Sequence, residues 1–454
     1  MLKKIYENSP LWMQNLFISA YGYKLFKQRY GKAYFDSRSQ YLENTNKNFQ
    51  EEKEAQFSDL KNFIEFAFQH SPFYKDFYKH VDFSKIQSVD DLPELPILEK
   101  ETFRQNVETI YTISEADSIM SFTGGTTGKA IKVLFTKDDF QRRMAYLDAF
   151  KMKVGIDPFK SKKATFSGRQ FAKKGSSDVF WRYNRTYKQR LYSTFDLTEE
   201  NMPAYVTDLN LFKPDVINGF VSAIYEIAEF IERNKLILDF IPKAIFTTSE
   251  TLMPHHRELI ERVFNSKIYN QYASAEGAPF VTECKEGKLH YNLDTGVIES
   301  LETEYGVEML VTSFTTHGTP LIRYRIGDKI KFSQEQKCGC GSSHPIIESI
   351  EGRQVEFLYA SDGSKVSLSH LADVIKGLPN NVKKMQFIQE GMDFIIVKLV
   401  VETSMYTQKN EESILSEMKN RFGENTKIKF DYVNDIPRES SGKFALIKNK
   451  LVSK

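Results

Sequence analysis

From Asn48 to His70 a charged run carries apolar Phe57, Leu60, Ile64 and Phe68 at steps of three and four residues. That spacing puts them on one side of an α-helix, so the segment is predicted to be an amphipathic helix, stopped by SPFYKDFY. After the proline-punctuated connector LPELPILEK, short apolar runs alternate with helical spacing. The pattern predicts a strand near Ile131 to Phe135, a helix from Asp138 to Lys151, a strand at Asp215 to Asn218 and a helix from Ser222 to Arg233. Strands alternating with helices specify α/β layers. Beyond Gly352 the texture changes: KKMQFIQ and DFIIVKLVVE read as a strand pair around the turn EGMD, followed by a helix near Glu411 to Arg421 and a strand from Lys427 to Val433. Local pairing of this kind predicts a small α+β unit with its own core. The expected architecture is α/β, with a large multi-layer N-terminal domain over 1–353 and a small α+β C-terminal domain over 354–454.

Composition narrows the classes of function. A chain of 454 residues can bury a large core and supports about two to four folding units. Charged residues make up 27%, yet the formal net charge is only +2, so there is no general attraction for nucleic acid and none is expected as a partner. No stretch reaches the roughly 18 uncharged apolar residues that a membrane-spanning helix requires. The strongest candidate, LWMQNLFISAYGYKLF from Leu11 to Phe26, is interrupted by Gln14, Asn15 and Lys24, and no small-residue cleavage site follows it. Two readings of it stand: a helix docked on its own domain, which is favoured, and a helix making peripheral contact with a membrane surface. With no export signal the chain is expected in the cytoplasm, where its three cysteines stay reduced and need an explanation other than disulfides.

The candidate chemistry begins with SFTGGTTGKA, Ser121 to Ala130. A loop of Thr123, Gly124, Gly125, Thr126, Thr127 and Gly128 can turn tightly, aim backbone N–H groups inward and add hydroxyl donors, which suits a polyphosphate. It is not a P-loop, which needs glycine where Thr123 stands and serine or threonine where Ala130 stands. YASAEG, RYRIGD, EGR and PRESSGK follow in that order. Together these motifs resemble the adenylate-forming superfamily of acyl-CoA synthetases, luciferases and peptide-synthetase adenylation domains. HSPFYKDFY, LPELPILEKETFR, TTSETL and PLIRYRIGD extend the likeness to phenylacetate-CoA ligase-like proteins, and within them to the CapK-type branch of capsular polysaccharide biosynthesis.

The resemblance implies a two-step reaction. A carboxylate attacks the α-phosphate of ATP, pyrophosphate leaves, and a nucleophile then takes the acyl group from the acyl-adenylate. Catalysis would rest on placement and electrostatic stabilisation, so no serine or cysteine nucleophile is expected. Thr123, Gly125, Thr126, Thr127 and Gly128 would grip the β- and γ-phosphates, with Lys129 adding positive charge; Ala130 replaces a proline common in the family. Tyr272 would offer a stacking face for adenine, beside Ala273, and Glu276 an oxygen ligand for Mg²⁺, which needs only one or two carboxylates. Ala273 and Ala275 stand where glycine and a hydroxyl residue commonly occur. Asp328 would hold the two ribose hydroxyls and Arg353 would reinforce ribose or phosphate. Thr248, Ser249 and Glu250 resemble the segment whose backbone lies against the base. Lys443, beside Gly442, would reach the α-phosphate and the incoming carboxylate from a mobile C-terminal domain turning near Gln354 to Glu356, where the family's hinge aspartate is replaced. Gly219 and Ser222 in NGFVSAIYEIA resemble a substrate-facing turn; Arg169 and Arg182 are either partners for an anionic substrate or packed surface arginines.

All the cysteines fall in one pattern with a histidine: Cys284 and His290 in CKEGKLH, and Cys338 and Cys340 in CGCG. Three thiolates and an imidazole would complete a tetrahedral, structural Zn²⁺ shell, an arrangement that some phenylacetate-CoA ligase-like relatives carry; the alternative is reduced buried cysteines beside an unrelated histidine. The leading function is an ATP-dependent, AMP-forming ligase acting on a small carboxylate, with a thiol, amine or sugar as acceptor. A conventional acyl-CoA ligase using CoA, a non-catalytic nucleotide-binding scaffold and a membrane-surface assembly factor are the alternatives.

Overall fold

The computed structural model describes every residue except 1, 44–47, 123–130, 170, 172–178, 199, 251, 304–305, 352–356, 368–370, 372–373, 375–381, 402–405, 435, 437–446 and 453–454. Short apolar strands build a six-stranded sheet in the order Trp181–Asn184, Gln189–Ser193, Lys163–Ser167, Val216–Phe220, Ala244–Thr248 and Ile268–Tyr269. All neighbours are parallel except the first pair. On one face, Tyr205 and Leu209 of helix Met202–Phe212, Ile224 and Ile227 of helix Val221–Arg233, and Ile260 and Phe264 of helix Pro254–Phe264 pack against Phe166, Ile217 and Ile245. On the other, Phe150 of helix Lys137–Lys153 meets Val216, Ala244 and Phe246. The α/β layering read from the alternation is present, and its elements shift by only a residue or two.

A seven-stranded antiparallel sheet lies beside these layers, in the order Gly296–Thr303, Gly306–Ser313, Tyr324–Phe332, Ile346–Glu351, Leu289–Tyr291, Val281–Glu283 and Gln271–Tyr272. The expected amphipathic helix spans Phe49–His70, and a reciprocal cap between Asn48 and Glu51 starts it. Its Leu60, Phe63 and Ile64 join Val297, Val311 and Ile322 of the sheet region in one core. Ser71 ends that helix and caps the next, Pro72–Phe77. The arginines of RYRIGD hold the proline-rich connector in place. Arg323 is buried, pairs with Glu299 at 2.9 Å and donates to the Leu95 carbonyl, while Arg325 pairs with Glu308 at 2.8 Å and with Glu99 at 3.5 Å.

The C-terminal residues have a core of their own, in which Leu358, Phe387, Ile395, Val397, Ile414, Met418 and Phe422 are buried together. The predicted strand pair is Val382–Gly391 with Phe394–Val401, antiparallel, flanked in parallel by Ile447–Asn449 and Lys427–Tyr432. Helix Gln408–Phe422 covers them. Among the described residues, Lys365 lies 3.5 Å from Glu226 and the Arg421 guanidinium sits 5.7 Å from the Phe195 ring, so side chains of the C-terminal residues reach the N-terminal layers. Burial pushes the Glu226 carboxyl from 4.5 up to about 7, against the opposing pull of Lys365. The folded protein therefore keeps a proton that the unfolded chain has released, so the stability linked to it is present at low pH and falls as pH rises from 4.5 to about 7. Glu226→Gln is expected to flatten the fall of urea-unfolding stability across that window; an unchanged pH slope would show that Glu226 does not titrate there.

Candidate functional site

Lys163–Ser167 is the first parallel strand in the chain, and its parallel neighbours Gln189–Ser193 and Val216–Phe220 lie on opposite sides, so the connections diverge from it. In open α/β sheets a crevice for ligands forms outside the carboxyl ends of strands at such a switch point. Strands Val216–Phe220 and Ala244–Thr248 end in NGF and TT, TTSE runs on beyond the second, and YASAEG follows Ile268–Tyr269, which brings three separated motifs to one sheet edge. At Gly219 a Cβ would sit 2.4 Å from the Phe166 carbonyl, so only glycine lets the neighbouring strands approach there. Ser249 takes a left-handed backbone, φ 68°, and Glu250 reaches across to accept hydrogen bonds from Ser222 N at 2.7 Å and Ser222 Oγ at 3.0 Å. The Glu250 carboxylate is thus committed to the start of helix Val221–Arg233; burial raises its pKa and the Ser222 bonds oppose the rise.

Tyr272 and Asp328, 56 positions apart, are joined directly: the Tyr272 hydroxyl donates to Asp328 Oδ2 at 2.7 Å. An irregularity in strand Tyr324–Phe332 places Asp328 there. Leu310 pairs with Arg325 and Glu308 with Lys329, leaving extra residues on the second strand, and Gly327 supplies the required φ of 86°. Ala273 and Ala275 follow Tyr272 on the exposed surface.

Glu276 is 8% exposed, and its carboxylate makes no hydrogen bond or ion pair among the described residues. The loop beneath it is tightly fixed. Ser274 Oγ accepts from Gly277 N and Ala278 N at 3.1 and 3.0 Å, and Ser313 Oγ donates to the Gly277 carbonyl at 2.6 Å. Arg143, buried on helix Lys137–Lys153, donates from Nη1 to Gly277 O at 2.7 Å, Ala278 O at 3.2 Å and Thr315 Oγ1 at 2.9 Å, and its guanidinium lies 4.3 Å from the Phe280 ring. One turn earlier, Asp139 accepts from His317 N and pairs with His317 Nδ1, both at 2.7 Å. Sequence reasoning missed Arg143 and Asp139, because a polar pair inside a helix gives no local sign that it faces a loop more than a hundred residues away.

The residues Thr123, Gly125, Thr126, Thr127, Gly128 and Lys129 lie outside the described residues, but their stem is defined. Ile119–Phe122 pairs antiparallel with Lys132–Phe135, so the two ends of the loop meet at Phe122 and Lys132. Leu134 exchanges bonds with Thr319 Oγ1 at 2.7 and 3.0 Å. At Gly277 a Cβ would fall 2.5 Å from Thr316 Cγ2 and 2.9 Å from the Phe135 ring, so the stem strand lies against the Glu276 loop. Arg353, Lys443 and the hinge segment Gln354 to Glu356 also lie outside the described residues. Arg182 is not a substrate partner: it is 2% exposed, and Nε binds Gln14 Oε1 at 2.6 Å while Nη1 binds the carbonyls of Val179 and Trp181.

The cysteines and the histidine come together. Cys284 opens a turn between Val281–Glu283 and Leu289–Tyr291, His290 sits on the second of these strands, and Cys338 and Cys340 lie in the loop after Tyr324–Phe332. Cys284 Sγ is 3.7 Å from Cys338 Sγ, Cys340 Sγ is 3.5 Å from His290 Nε2, and all four donor atoms lie within 4.8 Å of one another. For metal bonds typical of zinc the tetrahedral edges are about 3.8 Å between sulfurs and about 3.6 Å between sulfur and nitrogen. His290 Nδ1 faces the His344 carbonyl at 2.9 Å, which fixes the ring with Nε2 toward the thiols. His344 in turn lies 3.0 Å from Glu52 on helix Phe49–His70. The donor set fits a four-coordinate metal.

The C-terminal residues 358–450 match the model of the CapK C-terminal domain. Protein CapK of Staphylococcus aureus is 37% identical over 447 residues, covering 98% of this chain and 98% of that protein. The chain belongs to the CapK family. Indoleacetate–lysine synthetase of Pseudomonas savastanoi is 24% identical over 271 residues, 57% of this chain and 65% of that protein. Among solved structures, 2-hydroxyisobutyryl-CoA ligase, in complex with 2-HIB-AMP and CoA, shares the fold with a TM-score of 0.56 at 17% identity, over 88% of this chain and 91% of that one. The fold is that of the adenylate-forming ligases, a large N-terminal part followed by a smaller C-terminal one, in agreement with the resemblance carried by the motifs.

Removing Arg143 leaves three acceptors and buried Asp139 without their nearby cation. Arg143→Ala is expected to destabilise the protein by about 3 kcal/mol or more. Urea unfolding followed by circular dichroism measures this, and a loss below about 1 kcal/mol would mean that the loop holds itself.

Proposed function

We propose that this protein is an ATP-dependent, AMP-forming ligase that converts a carboxylate to an acyl-adenylate and passes the acyl group to an acceptor in surface polysaccharide assembly. The observation that carries this reading is the meeting, at the carboxyl edge of a parallel sheet, of the Tyr272–Asp328 pair, the Glu276 carboxylate, without a partner among the described residues, and the stem of the glycine-threonine loop. An adenylating enzyme needs those functions together: a face and a diol acceptor for adenosine, an anionic ligand for a phosphate-bound cation, and N–H donors for phosphates. In this reading Tyr272 stacks on adenine with Ala273 alongside, Asp328 accepts from the ribose hydroxyls, and Ser249 and Glu250 supply backbone to the base edge. Thr123, Gly125, Thr126, Thr127, Gly128 and Lys129 hold the β- and γ-phosphates, and Arg353 supports the ribose or phosphate. Glu276 would hold Mg²⁺, which neutralises phosphate charge when bound.

Lys443 is assigned to the α-phosphate, where a flexible ammonium stabilises the charge that grows as the carboxylate attacks. It is placed on a C-terminal domain, residues 354–454, that turns near Gln354 to Glu356 and so clears the way for the acceptor. The acceptor reading leans toward an amine or sugar, because the indoleacetate–lysine synthetase is named for joining an acid to an amino acid. An acyl-CoA ligase is the second reading, supported by the CoA bound in the structural relative. Cys284, His290, Cys338 and Cys340 are proposed to bind a structural Zn²⁺ with no open position for water.

A screen of small acids, alone and with amines, sugars or CoA, for release of pyrophosphate and AMP tests the reaction and its acceptor. Lys443→Ala is expected to lower adenylate formation at least about a hundredfold while leaving ATP affinity within about threefold, as loss of an electrostatic group acting in the transition state should. Turnover unchanged by this substitution would remove Lys443 from the mechanism. Elemental analysis of the purified protein is expected to find one zinc per chain, absent from a Cys338→Ser, Cys340→Ser variant; metal-free protein of full thermal stability would overturn the zinc assignment.

A further inference from the structure

Helix Leu11–Arg29 is docked on its own domain, but through the side that would ordinarily face water. Gln14 binds Arg182, Asn15 Oδ1 accepts from Tyr183 N at 2.9 Å, Ser19 Oγ accepts from Arg185 N at 3.0 Å, and Gly22 lies against the Asn184 side chain. These contacts lash the polar side of the helix to the edge strand Trp181–Asn184 and to the turn after it. The opposite side carries Trp12, 68% exposed, with Leu16, Phe17, Tyr21 and Tyr23, each at least 39% exposed. At helical spacing these fall with Met13 and Ala20 on one continuous face, and the only charges that share it are Lys24 and Lys27. Lys27 Nζ lies 4.8 Å from the Tyr23 ring. Residues 1–32 hold six basic side chains and a single acid, Glu7, in a chain whose overall charge is close to balanced.

We propose that this face seats the enzyme on an anionic lipid bilayer, with the helix lying in the plane of the interface. The occupant follows from the chemistry of the face. Indole and phenol rings favour the headgroup boundary, lysines beside them are drawn to anionic lipid, and no acid on the exposed face opposes that attraction. The helix cannot span, since no helix among the described residues is long and apolar enough to cross a membrane. A bilayer contact also needs a rigid mount, and the hydrogen bonds to the sheet edge supply one: the apolar side cannot turn inward without breaking the Gln14, Asn15 and Ser19 contacts. The inference is independent of the ligase reading and uses none of its residues.

Co-sedimentation of the full chain with vesicles of phosphatidylglycerol and phosphatidylcholine, against vesicles of phosphatidylcholine alone, tests it. The protein is expected to pellet with the anionic vesicles and to be released by salt, because surface attraction is screened. Lys24→Glu with Lys27→Glu should weaken binding roughly fivefold or more per lysine. Trp12→Ser with Leu16→Ser should abolish it while the circular dichroism melting curve stays unchanged, since both side chains point away from the domain. Equal partition to neutral and anionic vesicles, or none to either, overturns the proposal. So does a concentration-dependent dimer in light scattering that the Trp12→Ser, Leu16→Ser variant disrupts without any vesicle binding, which would make a second copy of the chain the occupant.

Discussion

The structure turns on one buried cation. Arg143 has no carboxylate at hydrogen-bond distance among the described residues; its donors go to the carbonyls of Gly277 and Ala278 and to the Thr315 hydroxyl, with the Phe280 ring against its face. Burial pushes its pKa down to about 10, still well above neutrality, so it remains charged. A guanidinium in a place of low polarity binds carbonyl dipoles firmly, and the loop it grips is the one that presents Glu276. The segment around Thr315 and Thr316 touches both that loop and the stem of the glycine-threonine loop, through Ser313 to Gly277 and Thr319 to Leu134. Helix Lys137–Lys153 therefore bonds both the Glu276 loop and the Thr315–His317 segment that lies between that loop and the stem.

Much of the fold was legible in the chain because its signals are local. Periodic apolar spacing located helices Phe49–His70 and Val221–Arg233, and the strand pair Val382–Gly391 with Phe394–Val401 announced itself by two apolar runs around a short turn. The seven-stranded antiparallel sheet was not legible. Its two runs of consecutive strands are joined only by the distant pairing of Leu289–Tyr291 with Ile346–Glu351, and its motif-bearing strand, RYRIGD, is interrupted by an irregularity and a positive-φ glycine that hide the alternation. Of the candidate site, residue type offered chemistry but not contacts: Tyr272 and Asp328 were read separately and are hydrogen-bonded, and the cysteines and histidine, which no spacing forces together, lie in one cluster. Arg182 was open to a substrate role and instead closes the contact with Gln14, because an arginine's destination depends on which neighbour the fold delivers.

Polar contacts tie distant segments of the chain together around the cores. The cysteine cluster brings the strand after YASAEG against the loop after RYRIGD, and His344, whose carbonyl faces His290, lies beside Glu52 of helix Phe49–His70. Arg323 and Arg325 fasten the connector to the same sheet. From the C-terminal unit, the Lys365–Glu226 ion pair and the Arg421–Phe195 contact reach the N-terminal layers.

Everything assigned to the site assumes that a carboxylate oxygen attacks the α-phosphorus of ATP. An acid labelled with oxygen-18 in its carboxyl group, carried through one turnover with its acceptor, reports on that bond directly. Attack at the α-phosphorus leaves one labelled oxygen in AMP when the acyl group departs, and mass spectrometry is expected to find it there. Label in inorganic phosphate, accompanied by ADP in place of AMP, would place the attack at the γ-phosphorus and contradict the account.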